Sequence, residues 1–218
     1  MCGRFSQNGE EMRVAIHGER FAFQFQKNFN LAPSQRAGVI FPRGEEIVGE
    51  GFRWGFIPHW AKENPKVKPI NARVEGITTS PLFRGAIGGR RCLVPASGWY
   101  EWKTENGGKQ PYRIIRQKEK PIYFAGIYAH AEPGGEATDT FAIVTREASS
   151  ELTFVHNRMP VVVPDDLLGE WLDTKSDRFR SILEKPLLTG FEFYPVDRRM
   201  NTPAFNGPEC LRPLPDSL

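Results

Sequence analysis

The chain is punctuated from end to end by 18 prolines and 21 glycines, and this is the strongest constraint on what it can fold into. A proline removes a backbone donor and breaks a helix, and a glycine weakens one. The apolar segments are therefore cut into short runs that suit strands joined by tight turns. Such runs, rich in β-branched and aromatic residues, fall at 38–41, 47–54, 91–95, 111–116, 122–128, 140–145, 160–163 and 191–196. Segments 105–109 and 132–138 carry Gly and charge between apolar runs and read as exposed hairpin loops. Helices are expected at the periphery. One lies near 9–21, another starts at Pro164-Asp165-Asp166, where acidic residues favour a helix N-terminus, and runs through Trp171, and a third covers 176–184. The expected fold class is α+β, a mainly antiparallel, barrel-like β-sheet with peripheral helices, in a single domain over residues 1–218.

Net charge is +3, from 29 Lys+Arg against 26 Asp+Glu, a balance that permits a local basic face for nucleic acid without demanding one. No apolar run approaches the ~20 residues that span a bilayer, so no membrane partner is expected. The opening Met1-Cys2-Gly3-Arg4-Phe5 lacks the charged and then apolar pattern of a secretory signal, which leads to the expectation of a reducing, cytoplasmic setting without disulfides. Cys2, Cys92 and Cys210 are far apart, and none sits in a CxxC or beside a histidine pair. Neither a metal nor a cofactor is expected. Nothing in the sequence calls for a dimer, and a monomer is the simplest expectation.

Cys2 followed by Gly3 is the most informative pair, because a small second residue permits removal of Met1 and would leave an N-terminal 1,2-aminothiol. An α-amine with a pKa of about 7.7 is roughly one-sixth neutral at pH 7, far more than a lysine near 10.4. It forms imines readily, and the adjacent sulfur can close such an imine into a five-membered thiazolidine. No internal cysteine can do this, since its nitrogen is an amide. In Ile70-Asn71-Ala72-Arg73-Val74-Glu75, polar residues at every second position would share one strand face and suit an anion, although a solvated strand face or a turn with an ordinary ion pair reads equally well. Ser97-Gly98-Trp99-Tyr100-Glu101-Trp102-Lys103 sets one carboxylate among aromatics, where desolvation would raise its pKa, and Glu101 is the candidate acid/base. Among four histidines, His156 is the best candidate, in the loop His156-Asn157-Arg158-Met159-Pro160 that leads into an apolar run. His17 reads as a helix-surface residue and His130 as a strand end. Trp54-Gly55-Phe56-Ile57-Pro58-His59-Trp60 offers either core aromatics or a stacking surface for bases, with Trp60 the candidate contact and Arg4, Arg73 and Arg158 the accompanying cations.

Taken together, Met1-Cys2-Gly3-Arg4-Phe5, Asn30-Leu31-Ala32-Pro33, Trp54 through Trp60, Asn71 through Glu75, Gly98-Trp99-Tyr100-Glu101-Trp102 and His156 through Pro160 resemble the SRAP (SOS-response-associated peptidase) family. The likeness continues, in order, through Tyr194-Pro195-Val196 to Asn206-Gly207-Pro208-Glu209. It implies an abasic-site sensor that crosslinks to single-stranded DNA through a thiazolidine on the N-terminal cysteine and shields the lesion. It also implies self-processing of Met1 and a weak lyase activity at abasic sites. By the same resemblance the catalytic roles fall on Cys2, Asn71, Glu101 and His156, the phosphate contacts on Arg4, Arg73 and Arg158, and a pocket-lining position on Thr145. Two other readings compete: a cysteine peptidase with Cys2 as nucleophile and His156 as base, and a non-covalent reader of modified DNA bases.

Overall fold

The computed structural model describes residues 2–9, 11–105, 107–185 and 188–215. Its strands are β1 (Phe5–Gln7), β2 (Glu11–Ile16), β3 (Glu19–Gln24), β4 (Asn28–Leu31), β5 (Arg36–Arg43), β6 (Glu46–Trp54), β7 (Asn71–Arg73), β8 (Arg91–Ala96), β9 (Gly98–Glu105), β10 (Gly108–Arg116), β11 (Ile122–Ala131), β12 (Thr138–Glu147), β13 (Arg158–Pro160) and β14 (Phe191–Pro195). Three short helices accompany them: α1 (Arg84–Gly89), α2 (Leu168–Leu172) and α3 (Phe179–Glu184). One sheet runs β14-β10-β9-β1-β4. A second runs β11-β8-β5-β6-β12-β13 with β7 also on β12, a further β11–β12 pairing closes five of its strands into a ring, and β2 and β3 form a separate two-stranded sheet. Most pairings are antiparallel, as the sequence leads one to expect. The exceptions are β12 with β6 and β12 with β7, which are parallel.

Side-chain alternation divides the ring strands between two clusters. Along β11, Ile122, Phe124 and Tyr128 join a cluster shared with the five-stranded sheet, which includes Phe5, Trp99 and Phe191. Tyr123, Ala125, Ile127 and Ala129 face the other way, under the β2–β3 hairpin and the helices. The buried Arg91 of β8 holds the helices on. It donates to the carbonyl oxygens of Ile87 at 2.8 Å and Trp171 at 2.7 Å, and to that of Asp173, at the C-terminal ends of α1 and α2.

Three local readings are corrected. The helix expected near 9–21 is the hairpin β2–β3: Met12, Val14 and Ile16 are buried in strict alternation, the period of a strand. His17 and Gly18 both take positive φ, 51° and 83°, as a two-residue hairpin turn requires, so His17 sits on a turn and not on a helix surface. The strand expected at 160–163 continues its ladder with β12 only as far as Pro160, and Val162 makes an isolated antiparallel bridge with Phe124. From there the chain crosses from β12 to β11, with Val161 N–H donating to Val144 O at 2.8 Å and Val163 N–H to Tyr123 O at 2.9 Å. Finally, the strand carrying Asn71 and Arg73 ends at Arg73. Val74 and Glu75 fall in a turn, so Glu75 does not continue that strand face.

Candidate active site

β1, β9 and β7 assemble the site around the start of the chain. Phe5 pairs with Trp99 and Ser6 with Gly98, and Tyr100 N–H donates to Arg4 O at 3.0 Å. This zipper fixes residues 2–4 beside β9. On its other side β9 runs so close to β10 that a Cβ on Gly98 would lie 2.8 Å from the Ile114 carbonyl oxygen. Cys2 is fully buried among the apolar residues of the shared cluster. Its carbonyl accepts from Asn71 Nδ2 at 2.9 Å, so β7 clamps the N-terminal segment from the far side. Burial, and then the charge of the neighbouring Glu101, push the Cys2 thiol well above its ordinary range.

Glu101 lies on β9 and is 4% exposed. Burial raises its carboxyl to about 7, where it exchanges protons at neutral pH. With Gly3, Arg4, Trp102, Lys109, His156 and Asn201 it lines a cavity of about 440 Å³. Arg4 stacks over Trp102, 5.6 Å from the ring centroid, and donates to Asn30 Oδ1 at 2.6 Å and to the carbonyls of Met200 and Asn201.

His156 ends a turn anchored by the buried Leu152 and Val155 and closed by Ala148 N–H donating to Asn157 O at 3.0 Å. Its Nδ1 accepts from Arg158 N–H at 2.9 Å, and burial lowers its pKa below the usual imidazole value. His156 also borders a second cavity, of about 610 Å³, with Arg73, Glu147, Ala148, Thr153, Asn157 and Arg158. The imidazole thus stands where two concavities meet. Arg158 forms a bidentate pair with Glu75, at 2.5 and 3.0 Å, and donates to Thr145 O at 2.8 Å. That pair holds the Glu75 carboxyl below its ordinary value.

Of the residues singled out in the sequence, Arg4, Glu101 and His156 meet at the smaller cavity and Arg73, His156 and Arg158 at the larger, while Cys2 and Asn71 bond to each other. Thr145 is buried with no partner for its hydroxyl, and Trp60 is 59% exposed; neither lines these cavities. Two residues lining the smaller cavity escaped the sequence reading, as did Glu147, Ala148 and Thr153 of the larger. Lys109 lies in a segment that reads as a loop, and Asn201, which accepts from Trp102 Nε1 at 2.6 Å, carries no local signal at all. Among the described residues no group of His, Cys, Asp and Glu is placed to hold a metal, and no helix is long and apolar enough to cross a membrane.

The chain is 34% identical to the abasic site processing protein YoqW of Bacillus subtilis, over 97% of this chain and 99% of that one. It is 29% identical to YedK of Escherichia coli, also named an abasic site processing protein, over 98% and 100%. It is 30% identical to HMCES of Gallus gallus, of the same description, over 88% of this chain and 67% of that protein. Among solved structures, a Bacteroides thetaiotaomicron protein matches with a TM-score of 0.76 at 27% identity, covering 85% of each chain. A phage-related protein of Bordetella bronchiseptica matches with a TM-score of 0.73 at 32% identity, over 90% and 95%. The family model described as SOS response associated peptidase (SRAP) matches residues 1–203, and the chain belongs to that family.

Proposed function

We propose that this protein processes abasic sites, capturing them in single-stranded DNA as a thiazolidine on Cys2. The names of near full-length relatives support the substrate class. The observation that carries the reading is the placement of Cys2 against a buried Glu101 whose carboxyl sits at about 7. Removal of Met1 frees the Cys2 α-amine. The Glu101 carboxylate takes a proton from the ammonium form, and His156 Nε2 donates its proton to the sugar ring oxygen while taking up the proton of the C1′ hydroxyl, so the abasic ring opens to its aldehyde with no net change on the imidazole. The amine adds to C1′, and water leaves to give the imine. The Cys2 sulfur then bonds to the imine carbon while its proton passes to nitrogen, so one water is released overall.

Asn71 holds the Cys2 carbonyl through this sequence. Arg4, Arg73 and Arg158 serve the phosphates, and the exposed Trp60 serves the bound strand. A cysteine peptidase would need a thiolate at Cys2. Burial and the Glu101 charge both oppose that form, which weighs against a thiol-first reaction.

Intact mass spectrometry, before and after mixing with an abasic single-stranded oligonucleotide, tests the reading. The expected species lacks Met1 and gains the oligonucleotide mass less one water, with no adduct on undamaged DNA. Active protein that retains Met1, or an unchanged mass, would overturn it.

A further inference from the structure

Four large apolar side chains stand exposed among the described residues, and two of them are side by side. Phe154 and Phe193 are 40% and 39% exposed, with ring centroids 4.7 Å apart. Tyr112 meets Phe154 at 5.7 Å and nearly perpendicular, and the Lys103 ammonium lies 5.5 Å from the Phe154 centroid. The cluster adjoins the site already described. Tyr112 is the direct register partner of Glu101 across β9 and β10, so the two share a sheet face, and Lys103 follows Glu101 by two residues on that face. Phe154 comes from the same turn as His156, two residues earlier.

We infer that Tyr112, Phe154 and Phe193 form a stacking platform for one unpaired nucleobase next to the abasic nucleotide, with Lys103 facing that nucleotide's phosphate. The inference rests on the reading of the site as one for abasic single strands. Three clustered rings beside a cation match a base with its phosphate, because every base offers a π-face and every nucleotide a negative charge. The patch is far smaller than the ~1,000 Å² that a stable protein interface needs. Lys103 also pairs with Glu105 at 3.1 Å, a partly exposed surface pair whose single contact is weak enough to be shared with a phosphate.

The test is equilibrium binding of the full chain to three single-stranded probes that carry a reduced abasic analogue, which lacks the aldehyde and cannot react. One probe keeps both neighbouring bases, and the others lack the 5′ or the 3′ neighbour. Stacking of one base predicts that wild type loses roughly ten-fold in affinity on one of the two base-deleted probes. The double variant Phe154→Ala/Phe193→Ala should lose a similar factor on the intact probe and nothing further on that deleted one, while Phe154→Trp keeps wild-type affinity. Equal loss on all probes, no loss on any, or a wild type that binds none of them overturns the platform. So does a wild-type dimer in solution that the double variant abolishes, since a second copy would then be the occupant. Because the probes hold no aldehyde, base-dependent binding without adduct formation on a true abasic strand would remove covalent capture and leave the platform standing.

Discussion

The backbone N–H of Arg158 donates to Nδ1 of His156 at 2.9 Å, so the neutral imidazole carries its proton on Nε2. Burial favours that neutral form, and the ring is therefore a fixed donor at neutral pH. His156→Ala should slow adduct formation by about 10²- to 10⁴-fold while leaving affinity for single strands unchanged. Single-turnover kinetics on an abasic strand checks this, and a normal rate would remove His156 from the proton transfers.

Glu101 must be ionised to accept a proton, and burial places its carboxyl at about 7. The rate of adduct formation should therefore fall as pH drops below 7. In Glu101→Gln this limb should move up to that of the Cys2 α-amine itself, about 7.7, with the remaining rate lower by about 10²- to 10⁴-fold. A rate profile from pH 5 to 9 that is the same in both proteins would exclude the assignment.

The same shift predicts an effect on stability. Between pH 4.5 and 7 the folded state holds a proton on Glu101 that the unfolded chain has lost, so this group's contribution falls as pH rises through that window. Fully ionised, the buried carboxylate costs roughly 3 kcal/mol relative to its unfolded reference. Glu101→Gln should thus raise the melting temperature more at pH 8 than at pH 5. A stabilisation independent of pH would contradict this.

Arg73 stands exposed beside the larger cavity, whereas Arg158 is already paired to Glu75. Affinity for single strands should weaken with salt, and Arg73→Ala should reduce the logarithmic slope by about 0.7. Arg158→Ala should change the slope less. It should instead lower fold stability by about 1 kcal/mol or more through its lost hydrogen bonds to Glu75 and Thr145 O. Titrations at several salt concentrations, paired with thermal melts, separate the two arginines.

Cys2→Ser keeps the α-amine and removes the sulfur that closes the ring. An open imine at C1′ acidifies the C2′ hydrogens, and β-elimination then expels the 3′ phosphate. The variant should form little durable adduct, should be trapped by borohydride, and should nick abasic strands. A folded variant that is neither trapped nor cleaves would show that the amine does not initiate the reaction.

Between Arg36 and Glu147, β5, β6, β8, β10, β11 and β12 were legible because their apolar runs are β-branched or aromatic and end at turn residues, whereas β9, which carries Glu101, was not among the expected strands because Glu101, Lys103 and Glu105 interrupt its aromatic run. The 11–24 hairpin was misread because its two-residue turn, His17-Gly18, lacks the Asn-Gly or Asp-Gly signal, and its short apolar spacing fits a helix as readily as a strand. Helix α1 went unseen because Gly85, Gly88 and Gly89 argue against any helix. Within the site, Glu101 and His156 stood out through their neighbours in sequence. The bond from Asn71 to the Cys2 carbonyl joins positions 69 apart, and Asn201 comes from nearly a hundred residues beyond Trp102. No local pattern encodes contacts of that range.

Those long spans also bear on how the protein comes into being. β1, β7 and β13 are three residues each, too short to persist alone, and each leans on a long strand, β9 or β12. The Cys2 end is clamped only after Asn71 has docked on β12, and His156 is set only after the chain has turned back along that strand. On the proposed mechanism, a partly synthesised chain therefore carries Cys2 with neither Glu101 nor His156 in place beside it. Acid/base-assisted capture of an abasic aldehyde then begins only once the fold is complete.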